Sequence, residues 1–260
     1  MILEGVHFDS AQTSARLIGR KAMAVNLSDI AAMAGVPLAA VVSVGLPEQL
    51  ADSAGEELYA GLRELADQFH VAVVGGDTNR SIGGLVVCIT LMGETTARGP
   101  VRRSGARPGD WILATGSFGG SIHHKHLTFT PRVREALRLH ERYALNAMID
   151  VSDGLAADLG HILEESRCGA VLNAAAIPIS EAARHTPTDR PPLDRALYDG
   201  EDFELLFTLA ADQARGLVAD QPLDVPVSHL GSITSDPGMF LESNGSRTPI
   251  APRGFDHFRP

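Results

Sequence analysis

The sequence is poor in cysteine, has no long apolar run and carries no excess of positive charge. Its two cysteines, Cys88 and Cys168, stand far apart, and neither belongs to a CxxC pair. A disulfide framework therefore has no support, and a reducing cytoplasm is the expected compartment. No uninterrupted apolar stretch approaches the roughly 20 residues that a membrane helix needs. The first residues lack a basic segment followed by an apolar one, so no signal peptide is expected. Lysine and arginine total 22 against 32 acidic residues, a net charge of -10. Nucleic-acid backbones need a basic footprint, so a general DNA- or RNA-binding role is disfavoured. Neither a Walker pattern nor a GxGxxG pattern follows a strand, and there is no GxSxG nucleophile elbow. No short tandem repeat is present.

What remains is a chain of 260 residues with 44% hydrophobic content, enough for one large domain or two ordinary ones. An acidic protein still binds ATP when divalent cations lie between its carboxylates and the phosphates.

Met1–Phe8 reads as strand from the first residue, which leads us to expect more sequence upstream. Ile18, Ala22, Val25 and Ile30 have roughly helical spacing, and Leu38–Val44 reads as a strand. Leu58, Leu62, Leu65 and Phe69 form a helical stripe. Val71–Val74 is a short strand expected to end at Gly75-Gly76-Asp77, and Leu85–Met92 is another. The Gly/Pro/charge cluster from Arg102 to Asp110 marks a boundary, giving expected domains of residues 1–108 and 109–260. Beyond it, Trp111–Thr115 leads into the glycine-rich Gly116–Ser121. Val133, Leu137 and Leu145 suggest a helix, Ala147–Val151 a strand, and Leu155, Leu159, Ile162 and Leu163 a further helix. Thr186–Pro192 is a loop, and Glu204–Leu209 and Val225–Leu230 are strands. Strands and helices alternate in both halves, so the class is α/β or α+β, in two domains.

Carboxylates gather at four places. Asp77 follows two glycines, which let a backbone approach an anion closely; a simple turn explains it equally well. Asp150, Ser152 and Asp153 stand where a strand gives way to a helix, an arrangement suited to a metal-bridged phosphate. An N-cap would account for Ser152 or Asp153 but not for Asp150, a charge ending an apolar strand. Asn26-Leu27-Ser28-Asp29 puts poor helix formers inside a helical pattern, and a solvated face is the slightly favoured explanation. Asp199–Glu204 is an acidic turn packed between structured segments. Gly116–Ser121 has the glycines of a phosphate cradle without a following lysine. His123-His124-Lys125-His126 lacks a second ligand pair at metal spacing and reads as surface helix or loop.

Taken in order, these segments cease to be independent. Glu4-Gly5-Val6-His7-Phe8, Asn26–Met33, Gly75-Gly76-Asp77-Thr78, Arg103–Asp110, Ile149–Leu155, Gly200–Leu205 and Gly254-Phe255-Asp256-His257-Phe258 closely resemble the thiamine-monophosphate kinase family, within the aminoimidazole ribonucleotide synthetase-like superfamily. The resemblance covers nearly the whole chain. It implies an N-terminal α/β domain whose sheet dimerises, a C-terminal α/β domain, and transfer of the γ-phosphate of ATP to thiamine monophosphate to give thiamine diphosphate. It implies Asp29, Asp77, Asp150 and Asp153 as magnesium ligands, and Tyr59, Gly76, Asp77, Arg103 and Ser152 as ATP contacts. His7, Glu201 and Phe255 fall on the thiamine-monophosphate side. No general base is assigned, because a phosphate acceptor is already ionised near neutral pH. The expected protein is a cytoplasmic homodimer without nucleic-acid or membrane partners. The sequence departs from the family in lacking a Gly-Asp-Asp strand and a Thr/Ser-Asp pair before Ile2. It is also shorter after Ser121 and has Asp199 in place of a glycine. These departures leave a second expectation, a non-catalytic or partial member that keeps the fold and nucleotide affinity.

Overall fold

The structure, a computed structural model, describes residues 1–50 and 52–256; His257 and Phe258 of the C-terminal motif lie outside the described residues. Two sheets organise it. The first has the order β1-β4-β2-β3, built from β1 (Ile2–Leu3), β2 (Gly35–Pro47), β3 (Ala72–Ser81) and β4 (Val86–Thr95). Strand β2 runs antiparallel to β4 and parallel to β3, and the parallel pair is connected through the helix α2 (Asp52–Gln68). The second sheet has the order β11-β10-β7-β9-β5-β8-β6. Its strands are β5 (Trp111–Thr115), β6 (Ala147–Asp150), β7 (Gly169–Asn173), β8 (Leu205–Leu209), β9 (Val227–Thr234), β10 (Gly238–Ser243) and β11 (Ser246–Pro249).

Alternation along the central strands assigns residues to two cores. Ile112, Ala114, Ala147, Ile149 and Leu206 join the cluster beneath helix α5 (Leu155–Ser166). Their neighbours Leu113, Met148, Leu205 and Phe207 face the opposite side and join a cluster that runs on into the first sheet. Period-two side chains must leave a strand on opposite faces, so this sheet is buried on both. The helix α1 (Ala15–Ala32) joins the halves, packing against β4, β6 and the helix α4 (Val133–Arg142). A short helix α3 (Lys125–Thr128) also lies against it. Helices α1 and α2 meet backbone to backbone at two glycines. A Cβ on Gly19 would stand 1.9 Å from the Leu58 carbonyl oxygen, and one on Gly61 1.9 Å from that of Arg16. Three more helices, α6 (Glu181–His185), α7 (Pro192–Tyr198) and α8 (Ala211–Asp220), complete the second half.

Several sequence expectations change. The opening strand stops at Leu3, because the chain turns at Gly5 (φ +77°) and the amide of His7 donates back to Leu3. Strand β3 does not end at the glycines but continues through Asp77 to Ser81, since its parallel pairing with β2 supplies backbone partners along the whole run. Asp77 is therefore a mid-strand residue opposite Ser43. Among the described residues no helix is long and apolar enough to cross a membrane.

Candidate active site

A cavity of about 560 Å³ opens where β1, α1, the end of β6 and the loop after α7 converge. Its lining includes His7, Asp29, Asp150, Ser152, Asp153, Glu201 and Phe255. Seven of the residues singled out in the sequence thus share one hollow. Tyr59, Gly76 and Asp77 line a separate hollow of about 480 Å³ between β3 and α2. Arg103 is exposed and lines neither cavity among those described. Its charge still acts on Asp29 and Asp150.

Asp150 is the last residue of β6, paired with Leu205, and is buried. Its carboxylate accepts a hydrogen bond of 2.5 Å from Ser28 Oγ on α1. This contact explains the unfavourable Ser28 inside a helix: the hydroxyl turns inward to a charge from another element. Burial pushes the Asp150 carboxyl up to about 6, with the neighbouring Asp29 charge adding to the rise. Asp29, next to Ser28 on α1, is exposed and lines the cavity. Desolvation raises its pKa against nearby cations that include Arg103.

Beyond Asp150 the chain passes through Ser152 and Asp153 into α5. Neither is its N-cap; Gly154 holds that place with a φ of +122°, and it caps through no side chain. Asp158, one turn inside α5, takes over instead. Its Oδ2 accepts from the amides of Ser152 (3.0 Å), Asp153 (3.0 Å) and Gly154 (3.2 Å). Those donors are satisfied from within the protein, and the backbone that presents Asp153 is fixed. Burial, with Asp153 and then Asp150 nearby, pushes Asp158 up to about 8.

The acidic turn after α7 runs alongside this loop. The amides of Glu201 and Phe203 donate to Ser152 and Val151 at 2.7 Å each. Glu201 and Phe203 adopt left-handed backbones, φ +55° and +50°, a conformation that costs about 1–2 kcal/mol per non-glycine residue. Strain of this kind persists where the surroundings over-determine it, commonly beside a binding site. Gly200 is required there: a Cβ would stand 2.7 Å from the Ser152 carbonyl oxygen.

The glycine-rich loop at 116–121 already holds anions of the protein. The Gly119 amide donates to both oxygens of Asp202 at 3.0 Å, Ser121 Oγ donates to the same carboxylate, and the Gly120 amide reaches Asp199 at 3.0 Å. Asp199 is further gripped by Arg190 (2.7 Å) and Arg195 (3.1 Å). Glu204 is buried against Thr115, Lys125 and Arg132, each 2.8 Å away. Burial opposes its ionisation, but Arg132 and Lys125 outweigh burial and hold its carboxyl below the usual range. In the histidine segment, His123 and His124 are exposed, whereas His126 is buried with its ring on the Ser121 carbonyl. His126 is thus core rather than surface.

Known proteins resemble this chain along nearly its whole length. Residues 1–95 match the family described as AIR synthase related protein, N-terminal domain, and residues 107–243 match its C-terminal domain. The thiamine-monophosphate kinase of Rhodopirellula baltica is 41% identical over 259 residues, covering 98% of this chain and 81% of that protein. The chain belongs to the thiamine-monophosphate kinase family. Its fold is similar to the crystal structure of the thiamine-monophosphate kinase of Stenotrophomonas maltophilia K279a, with a TM-score of 0.84, 36% identity and coverage of 94% and 84% of the two chains. It is also similar to AaThiL complexed with AMPPCP and TMP, with a TM-score of 0.86, 29% identity and coverage of 99% and 85%.

Sequence reasoning missed three groups that build this family member's cavity. Lys21 is fully buried on α1, and a lysine amid Ile18, Ala22, Met23 and Ala24 was the available signal. Asp158 was hidden by ordinary helical spacing, although a third carboxylate so close to Asp150 and Asp153 hinted at it. Arg190 came from a stretch read as loop, and Arg195 lies just beyond it, in α7.

Proposed function

We propose that this chain transfers the γ-phosphate of ATP to thiamine monophosphate, giving thiamine diphosphate. The observation that carries the reading is the meeting, in one cavity, of the carboxylates of Asp29, Asp150 and Asp153 with His7, Glu201 and Phe255. The family adds support, as does the solved relative that holds AMPPCP and TMP.

Phosphoryl transfer asks little covalent chemistry of a protein. It asks for in-line placement and for neutralisation of crowded negative charge. The cavity fits a hard divalent cation: its acidic donors are all oxygens, and their mutual repulsion helps to hold Asp150 up near 6. Asp29, Asp150 and Asp153 would hold magnesium there, and Asp77, also a nucleotide contact, would hold it in the second hollow. Magnesium supplies charge neutralisation between the two phosphorylated substrates. Ser152 and Arg103 contact the nucleotide, as do Tyr59 on α2 and Gly76 on β3. Phe255 offers an aromatic face to a substrate ring. Its amide donates to the Asp153 carbonyl at 2.9 Å, so its backbone is tied to the acidic loop. Glu201 and His7 frame the same end. No side chain is needed as a base, because the acceptor oxygen is already ionised near neutral pH.

The working unit in this proposal is a cytoplasmic homodimer, with residues 1–108 forming the nucleotide-binding and dimerising domain and 109–260 the second. In its favour, the first sheet leaves Leu38, Val41, Val74 and Met92 exposed, more apolar surface than isolated residues would explain. The direct test supplies ATP, magnesium and either thiamine monophosphate or unphosphorylated thiamine, and follows product by chromatography. Thiamine diphosphate from the monophosphate alone is the expected result. Tight nucleotide binding without product would favour the non-catalytic family member.

A further inference from the structure

We propose that Lys21 is a positioning residue for the substrate pocket, its ammonium clamping the Glu201 carboxylate to the backbone of His7 so that both residues face the ligand from fixed places. The proposal rests on the substrate reading of that pocket.

Lys21 is 0% exposed. Its Nζ donates to the His7 carbonyl oxygen at 2.6 Å and to Glu201 Oε1 at 2.6 Å. These two partners are far apart in sequence, and both line the 560 Å³ cavity. Glu201 is still partly open, its side chain 23% exposed. Packing alone does not explain a lysine here. A methionine would fill similar space without removing a charge from water. Burial pulls the ammonium's pKa down, and the Glu201 charge works in the opposite direction. Among the described residues, Glu201 is the carboxylate that pairs with this ammonium.

The backbone makes that match consequential. Glu201 sits at φ +55° between Gly200 at +76° and Phe203 at +50°, a strained run in which a side chain's direction needs outside support. The His7 turn is short, and its amide and ring both bond to Leu3. Lys21 ties both to α1, the helix that carries Asp29 two turns further on, about 12 Å along its axis. One helix thus carries both an acidic residue of the cavity and the ammonium that holds Glu201 and His7.

The test measures binding of thiamine monophosphate and of AMPPCP by calorimetry to the unaltered chain, Lys21→Met, Lys21→Gln, Glu201→Gln and the Lys21→Met/Glu201→Gln double variant. Circular dichroism identifies the folded samples, and Lys21→Gln, which keeps a donor, serves if Lys21→Met does not fold. The expected result is a loss of thiamine-monophosphate affinity of about tenfold or more on replacing Lys21, with AMPPCP affinity changed less than about twofold. The double variant is expected to be no weaker than the poorer single variant, because Lys21 acts through Glu201. Unchanged thiamine-monophosphate affinity in a folded Lys21 variant, equal losses for both ligands, or multiplying effects in the double variant would overturn the positioning role. A Glu201→Gln variant that binds normally, or an unaltered chain that does not bind thiamine monophosphate, would instead sink the substrate reading of the pocket, and the role of Lys21 with it.

Discussion

At the scale of single residues, the site is a set of charges placed where water is scarce. Asp150 illustrates how much of this was legible. A carboxylate at the end of an apolar strand is conspicuous in sequence, and it is buried in the structure. Its partner Ser28 was not legible, because nothing local says which way a helical serine turns; that is decided by an element more than a hundred residues away. Removing a metal ligand should weaken metal affinity at least as much as removing its support, about 10–100-fold. Asp153→Asn and Asp77→Asn should therefore lose magnesium-dependent ATP affinity by at least about tenfold, with the fold retained. Calorimetry with and without magnesium checks this, and unchanged affinity in both variants would count against it.

A second residue-scale prediction concerns His126. Burial, reinforced by the nearby Lys21 charge, pushes its ring down to about 4 from an ordinary 6.5. The unfolded chain therefore binds a proton that the folded chain refuses between those values. Stability from this group is present above pH 6.5 and is lost as the pH falls toward 4, by about 2 kcal/mol at pH 5. Urea denaturation at pH 7.5 and pH 5 should show a smaller acid loss for His126→Gln than for the unaltered chain. Equal losses would mean that His126 already takes up its proton in the fold.

At the scale of elements, regular strands and strongly periodic helices were readable, and irregular junctions were not. Strand β5 occupies the residues its pattern indicated, Trp111–Thr115. Strand β3 was cut short in sequence by its glycines, because local propensity cannot register the parallel neighbour that pairs with Gly75 and Gly76. The glycine-rich loop was readable as a candidate phosphate cradle but not for what fills it, which is the protein's own Asp202 carboxyl. Helix α1 was only weakly periodic because nearly every side of it is buried. Its contact with α2 depends on Gly19 and Gly61. Gly61→Ala would force the helices apart, since the new methyl meets the Arg16 carbonyl. A loss of about 1–3 kcal/mol is expected, measurable by urea titration; a neutral effect would show that the helices separate freely.

At the scale of the whole molecule, the two halves share a core, and the cavity exists because they do. The first sheet ends with β4 at Thr95 and the second begins with β5 at Trp111, and α1 packs on strands of both, β4 and β6. The shared core was not legible, because interleaving of distant elements leaves no local trace. The exposed apolar residues of the first sheet belong to this scale as well. Light scattering should report a dimer, and Val41→Asp should shift it toward monomer; a monomeric unaltered chain would remove the dimer from the account.

The most direct measurement follows the transferred phosphoryl group itself. The purified chain is incubated with magnesium, thiamine monophosphate and ATP labelled in its γ-phosphate, and the products are separated. The account predicts label in the terminal phosphate of thiamine diphosphate, dependent on both magnesium and the monophosphate. Label that stays in ATP, or appears only as inorganic phosphate, would contradict it.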